Sequence, residues 1–106
     1  MPACLRLFIL SKLRIFQLGE VSLLQKFNGV CRDASDAYEV IRFDDATSDR
    51  NCYEKCKSET DCGAFAYFVS VNPNRGCELY RNTHTYTKGI EGPTVTSCYI
   101  MPTGSL

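Results

Sequence analysis

Apolar and polar positions define five stretches in the last two thirds of the chain. In "AYEVIRF" (Ala37 to Phe43), Tyr38, Val40 and Arg42 alternate with Glu39, Ile41 and Phe43, a period of two with β-branched content that predicts a strand. "DDATSDR" then supplies turn formers, with Thr47, Ser48 or Asp49 as candidate N-caps for a helix over "RNCYEKCKSE". Cys52 and Cys56 fall four apart, so both sulfurs sit on one side of that helix. The rest of its dry side is little more than Tyr53, a stripe too narrow to hold a short helix by apolar burial alone. The cysteines are therefore its expected anchors.

After Cys62 and Gly63, "AFAYFVSV" sets Phe65, Tyr67, Val69 and Val71 against Ala64, Ala66 and Phe68, a strand apolar on both faces. "NPNRG" (Asn72 to Gly76) is a turn cluster and "CELYR" resumes as a strand, so residues 63 to 81 predict a hairpin. "NTHTYTKGIEGPT" is polar and glycine-punctuated, hence loop, and "VTSCYIM" closes as a short strand. Composition shifts at "FNGVCRD", from a leucine-rich, acid-poor stretch to one rich in Asp, Tyr and Cys, which places a domain boundary near Asn28–Gly29.

A chain of 106 residues is one domain's worth, with a core thin enough that covalent or metal help is expected. Twelve basic and twelve acidic residues cancel, which removes the electrostatic footprint of a general nucleic-acid binder. No apolar run is long enough to span a membrane. Residues 1–28 read as an atypical N-terminal extension: the longest apolar run there is "LFIL", and Lys12 and Arg14 interrupt what a secretory signal keeps greasy. Arg6, Lys12 and Arg14 without an acid before Glu20 also allow a transit-peptide or membrane-surface reading, beside an atypical signal or an artefact of the gene model.

Seven cysteines, at 4, 31, 52, 56, 62, 77 and 98, are the strongest chemical signal. Zinc on Cys52, Cys56, Cys62 and Cys77 lacks the paired CxxC knuckles of structural sites, although Cys52 and Cys56 could chelate. A nucleophilic thiol needs a base, and the only histidine, His84, lies in a polar loop where a solvated role is the ordinary one. Disulfides fit a small cysteine-rich domain with a thin core, but spacing does not choose among their pairings. Asp44, Asp45 and Asp49 lack the spacing of a calcium loop and read as an acidic turn, with Asp49 better used as a cap.

Cys31, "NCYEKC", "DCGAFAYF", "GCELY" and "SCYI", in that order, resemble the PAN/apple domain over about residues 29 to 101, leaving 102–106 as a tail. That resemblance implies an α+β fold, a small disulfide-stapled domain in which a curved antiparallel sheet cradles one helix. It also implies nested bridges, Cys31–Cys98, Cys52–Cys77 and Cys56–Cys62, with Cys4 outside the set. The function implied is that of an extracellular, secreted, non-catalytic adhesion module for protein binding or carbohydrate binding, with its partner at a cell surface or in the matrix and no cofactor. The alternative is an intracellular zinc-stabilised protein-interaction domain. A glycan ligand would call on aromatic rings to stack and on polar groups to bond hydroxyls, with Asn74, Arg75, Tyr80, Arg81 and Tyr86 the nearest candidates. Each also has an ordinary role: Tyr80 half in the core, Asn74 and Arg75 in a turn, Arg81 and Tyr86 simply exposed.

Overall fold

The structure is a computed structural model, and it describes residues 21–69, 76–92 and 95–102. The expected extension up to residue 20, with Cys4, most of the 72–76 turn and the end of the tail lie outside the described residues. A 3-10 turn at Val21–Leu23 leads into β1 (Gln25–Asn28), β2 (Val30–Arg32), β3 (Val40–Asp45), helix α1 (Asp49–Lys57), β4 (Cys62–Val69), β5 (Gly76–Arg81), β6 (Lys88–Ile90) and β7 (Val95–Ile100). One five-stranded sheet has the order β1-β7-β4-β5-β3, and β2 and β6 form a separate ribbon. Every pairing is antiparallel. This is the expected α+β arrangement of one helix on an antiparallel sheet. No helix among the described residues is long and apolar enough to cross a membrane.

Helix α1 starts where the side chain of Ser48 accepts a bond from the Asn51 amide, a cap of the kind that contributes about 1 kcal/mol. Asp49, expected as a cap, is instead the first helical residue, which leaves its carboxylate to accept a 2.9 Å bond from the Tyr99 hydroxyl. That bond, after burial itself, pushes the Tyr99 pKa up to about 12. The buried face of the helix is Cys52, Tyr53 and Cys56.

β4 is the central strand and separates two clusters. On the helix side, Phe65 and Tyr67 pack with Cys52, Tyr53, Cys56, Cys77, Leu79 and Tyr99. On the other side, Ala64 and Ala66 pack with Cys31, Tyr80, Tyr86 and Cys98, with Phe27, Val40 and Phe68 at the margin. The alternation expected for this strand is thus present, with small residues where the β2–β6 ribbon comes close. Val69, expected on a buried face, is exposed at the end of the strand.

Three bridges fasten these layers. Cys31–Cys98 ties the ribbon to β7, Cys52–Cys77 ties α1 to β5, and Cys56–Cys62 closes the turn between α1 and β4. The nested pairing matches the expectation carried by the resemblance. The zinc alternative fails on the same observation: all four proposed ligands are disulfide sulfurs, which have no thiolate to offer a metal.

Three elements depart from expectation. The sheet takes its first strand, β1, from residues 25–28, on the N-terminal side of the boundary expected at Asn28–Gly29. Gly29, at φ +100°, turns the chain from that sheet into the ribbon, and a side chain there would overlap the Ile90 carbonyl. β6 lies inside the segment expected to be loop; three residues are too few to show a period, and Gly89 sits so close to the Asn28 carbonyl that no side chain fits. Finally β3 begins at Val40 and absorbs Asp44 and Asp45, with a bulge between Val40 and Arg42.

Candidate functional site

The bulge in β3 decides which side chains share a face. Strict alternation would put Tyr38 and Val40 opposite Phe43. Instead Val40 pairs with Tyr80 and Phe43 with Glu78, two residues apart on β5, so Val40 and Phe43 point the same way, away from α1. Tyr38, two residues before Val40, meets Tyr80 edge-on on that face, with ring centroids 6.3 Å apart. Tyr38 and Phe43 are 47% and 58% exposed, the large aromatics left open among the described residues.

Both rings are held in place. Arg32, at the end of β2, lays its guanidinium 3.5 Å over the Tyr38 ring and donates a 2.7 Å bond to the Cys31 carbonyl. Phe43 leans against Phe68, centroids 5.7 Å apart, and covers Gly76, where a methyl group would overlap the ring. Across from Phe43 on β5, Glu78 accepts a hydrogen bond from the Tyr80 hydroxyl. Burial, followed by the Glu78 carboxylate, raises the Tyr80 pKa far above the tyrosine range, so this hydroxyl stays a donor. The face therefore runs from Tyr38 with Arg32, past Tyr80 and Glu78, to Phe43 with Phe68.

A charged rim closes the Tyr38 end. Arg81 pairs with Glu39 at 3.0 Å and Asp61 at 3.2 Å, and Thr83 donates to Glu39 at 2.7 Å. That hydroxyl, ahead of Arg81, lowers the Glu39 pKa. Lys88 pairs with Asp36 at 2.6 Å. Asp33 accepts from the amides of Ser35 and Ala37 through one oxygen and meets His84 Nδ1 at 3.0 Å through the other. His84 thus serves to join two loops, and the six cysteines at 31, 52, 56, 62, 77 and 98 are bridged, which leaves it no thiol among the described residues to activate.

The hydrogen bond with His84 first, then that from the Ala37 amide, holds the Asp33 pKa at about 2, below the ordinary carboxylate range. A lowered folded-state pKa contributes stability above the unfolded carboxylate range that is lost as pH falls through the folded value. Acid titration of unfolding is accordingly expected to show stability dropping between about pH 4 and pH 2, with a shallower drop in Asp33→Asn. An identical slope in the variant would remove Asp33 from the acid response.

The residues proposed from sequence as ligand contacts fall in three places. Tyr80 and Tyr86 are 0% and 4% exposed, tilted against each other with centroids 5.4 Å apart, so their ring faces are core and unavailable for stacking on a ligand. Tyr86 also ties the rim together: its hydroxyl donates to the Arg81 carbonyl at 2.7 Å and accepts from the Glu39 amide. Arg81 reaches the surface but is engaged by two carboxylates. Asn74 and Arg75 lie outside the described residues. Sequence reasoning missed Arg32, Tyr38, Phe43 and Glu78 as a set. Their only signal was the "AYEVIRF" alternation, which places Tyr38 and Phe43 on opposite faces unless the bulge is known.

No curated protein and no solved structure matches the chain significantly. The family model of the PAN domain matches residues 25–100, a span that opens on β1, ends on β7 and contains α1 and all three bridges. On that match, the chain belongs to the PAN domain family.

Proposed function

We propose that this protein is an extracellular, non-catalytic binding module that takes a protein or carbohydrate ligand on the sheet face opposite α1. PAN domains are a family of protein- and carbohydrate-binding modules, which supports the class of function. Three buried disulfides support an oxidising compartment, since cytosolic thiols are kept reduced. The observation that carries the choice of face is the pair of exposed rings, Tyr38 and Phe43, each propped by a fixed neighbour beside Arg32 and Glu78. Rigid aromatics that stay exposed lose little entropy when a partner covers them, and they dominate binding energy when covered. At a cell surface or in matrix, such a module serves adhesion.

The test is secreted, disulfide-intact protein on a combined protein and glycan array, beside the Tyr38→Ala/Phe43→Ala double variant. Binding in the parent that weakens at least about tenfold in the variant is the expected result. An absence of specific binding on either half of the array would reduce the domain to a spacer and sink the proposal.

A further inference from the structure

We propose that the ligand is a neutral oligosaccharide chain lying along β3, stacked at one end on the Tyr38 platform and at the other on Phe43; this rests on the reading of that face as the binding site. Three features of the face favour a sugar chain. The first is its alternation. Aromatic surface at Tyr38 and at Phe43 flanks a polar group, the partly exposed Glu78 carboxylate, which lies across from Phe43 on β5 and reaches back to the Tyr80 hydroxyl. Sugars present apolar C–H faces and rims of hydroxyls in the same succession, so rings can stack while carboxylate and guanidinium take hydroxyl bonds.

The second is length. Tyr38 and Phe43 are five residues apart, at most roughly 17 Å of extended chain, the reach of a short oligosaccharide rather than of one sugar. The third is what the face lacks for other ligands. An extended peptide adding to the β3 edge would meet a bulge, and Arg42, Asp44 and Asp45 along the strand, devices that blunt strand addition. A polyanionic chain needs cations free to neutralise it, whereas among the described residues Arg81 and Lys88 at the rim are already paired with carboxylates, and Arg32 is engaged by the Tyr38 ring and the Cys31 carbonyl.

Gly76 gives the inference a handle that does not touch the ligand. Because the Phe43 ring lies on Gly76, a methyl group there tips the ring off the sheet without deleting it. The probe is a set of neutral gluco-, manno-, galacto- and N-acetylglucosamine oligosaccharides of increasing length, titrated calorimetrically into the intact protein. Binding is expected to appear or tighten as the chain grows from one sugar to several, and to change little with salt. Phe43→Ala and Gly76→Ala should each weaken it about tenfold, while Phe43→Tyr retains it and circular dichroism shows every variant folded.

Failure of the whole neutral set overturns the inference, as does binding confined to sulfated chains and abolished by salt. Neutral binding that ignores both Phe43→Ala and Gly76→Ala overturns it too. A protein ligand that binds in place of sugars and is lost with Phe43→Ala would overturn the sugar and leave the binding face standing. A ligand of any kind indifferent to both Tyr38→Ala and Phe43→Ala would take the face down as well.

Discussion

Joint replacement of Cys31 and Cys98 by alanine is expected to lower the free energy of unfolding by about 4 kcal/mol, on the chain-entropy account of a long closed loop. The bridge spans a sequence separation of 67, and both cysteines are fully buried. Two further consequences follow from its place in the fold. The β2–β6 ribbon has only three paired positions, too few for independent stability, so the bridge to β7 is what keeps it over Ala64, Ala66, Tyr80 and Tyr86. Arg32 is on that ribbon, so the Tyr38 platform should loosen and ligand affinity fall together with stability. Joint replacement of Cys56 and Cys62, which close a separation of only 6, should cost about half as much and leave the ligand face intact. Urea titration of both variants checks the ordering. Equal losses, or a loss under about 1 kcal/mol for the long bridge, would contradict the entropic account.

Phe65→Ala should cost about 3–5 kcal/mol, the range for truncating a fully buried phenylalanine. Phe65 is 0% exposed on the central strand, stacked on Tyr99 with centroids 4.9 Å apart and 6.2 Å from Tyr53, so its ring joins β4, β7 and α1. Helix and sheet are also bridged covalently around it, which restricts how far the walls can collapse into the space left. Phe65→Leu keeps most of the volume and should cost less. The measurement is the midpoint shift in denaturant at unchanged slope. A cost for the alanine variant within about 1 kcal/mol would mean the site refills, and that the bridges rather than the aromatic cluster hold α1 in place.

Local pattern carried much of the architecture. The helix was legible in Ser48 and the four-residue cysteine spacing, and β4 and β7 in their apolar runs, because each signal lies within one element. The bridge pairing came from the order of cysteines and aromatics that resembles the family, since spacing alone leaves it open. β6 was not legible: three residues paired to β2 are defined by a partner more than fifty positions away. The ligand face was legible only in fragments. Tyr80 and Tyr86 looked available because they sit in or beside a polar loop, yet the ribbon that buries them arrives from residues 30–32.

What the sequence by itself determined is the chemistry available: six cysteines in family order, a helix with too little apolar surface to stand unaided, and a central strand apolar on both faces. Only the tertiary structure decided which rings face outward. One bulge in β3 moves Phe43 to the side of Tyr38 and Val40, and one bridge brings β2 over Tyr80 and Tyr86. The physical reason is that side-chain direction in a strand depends on register, and burial on what packs above it; both are set by distant partners that no local period encodes.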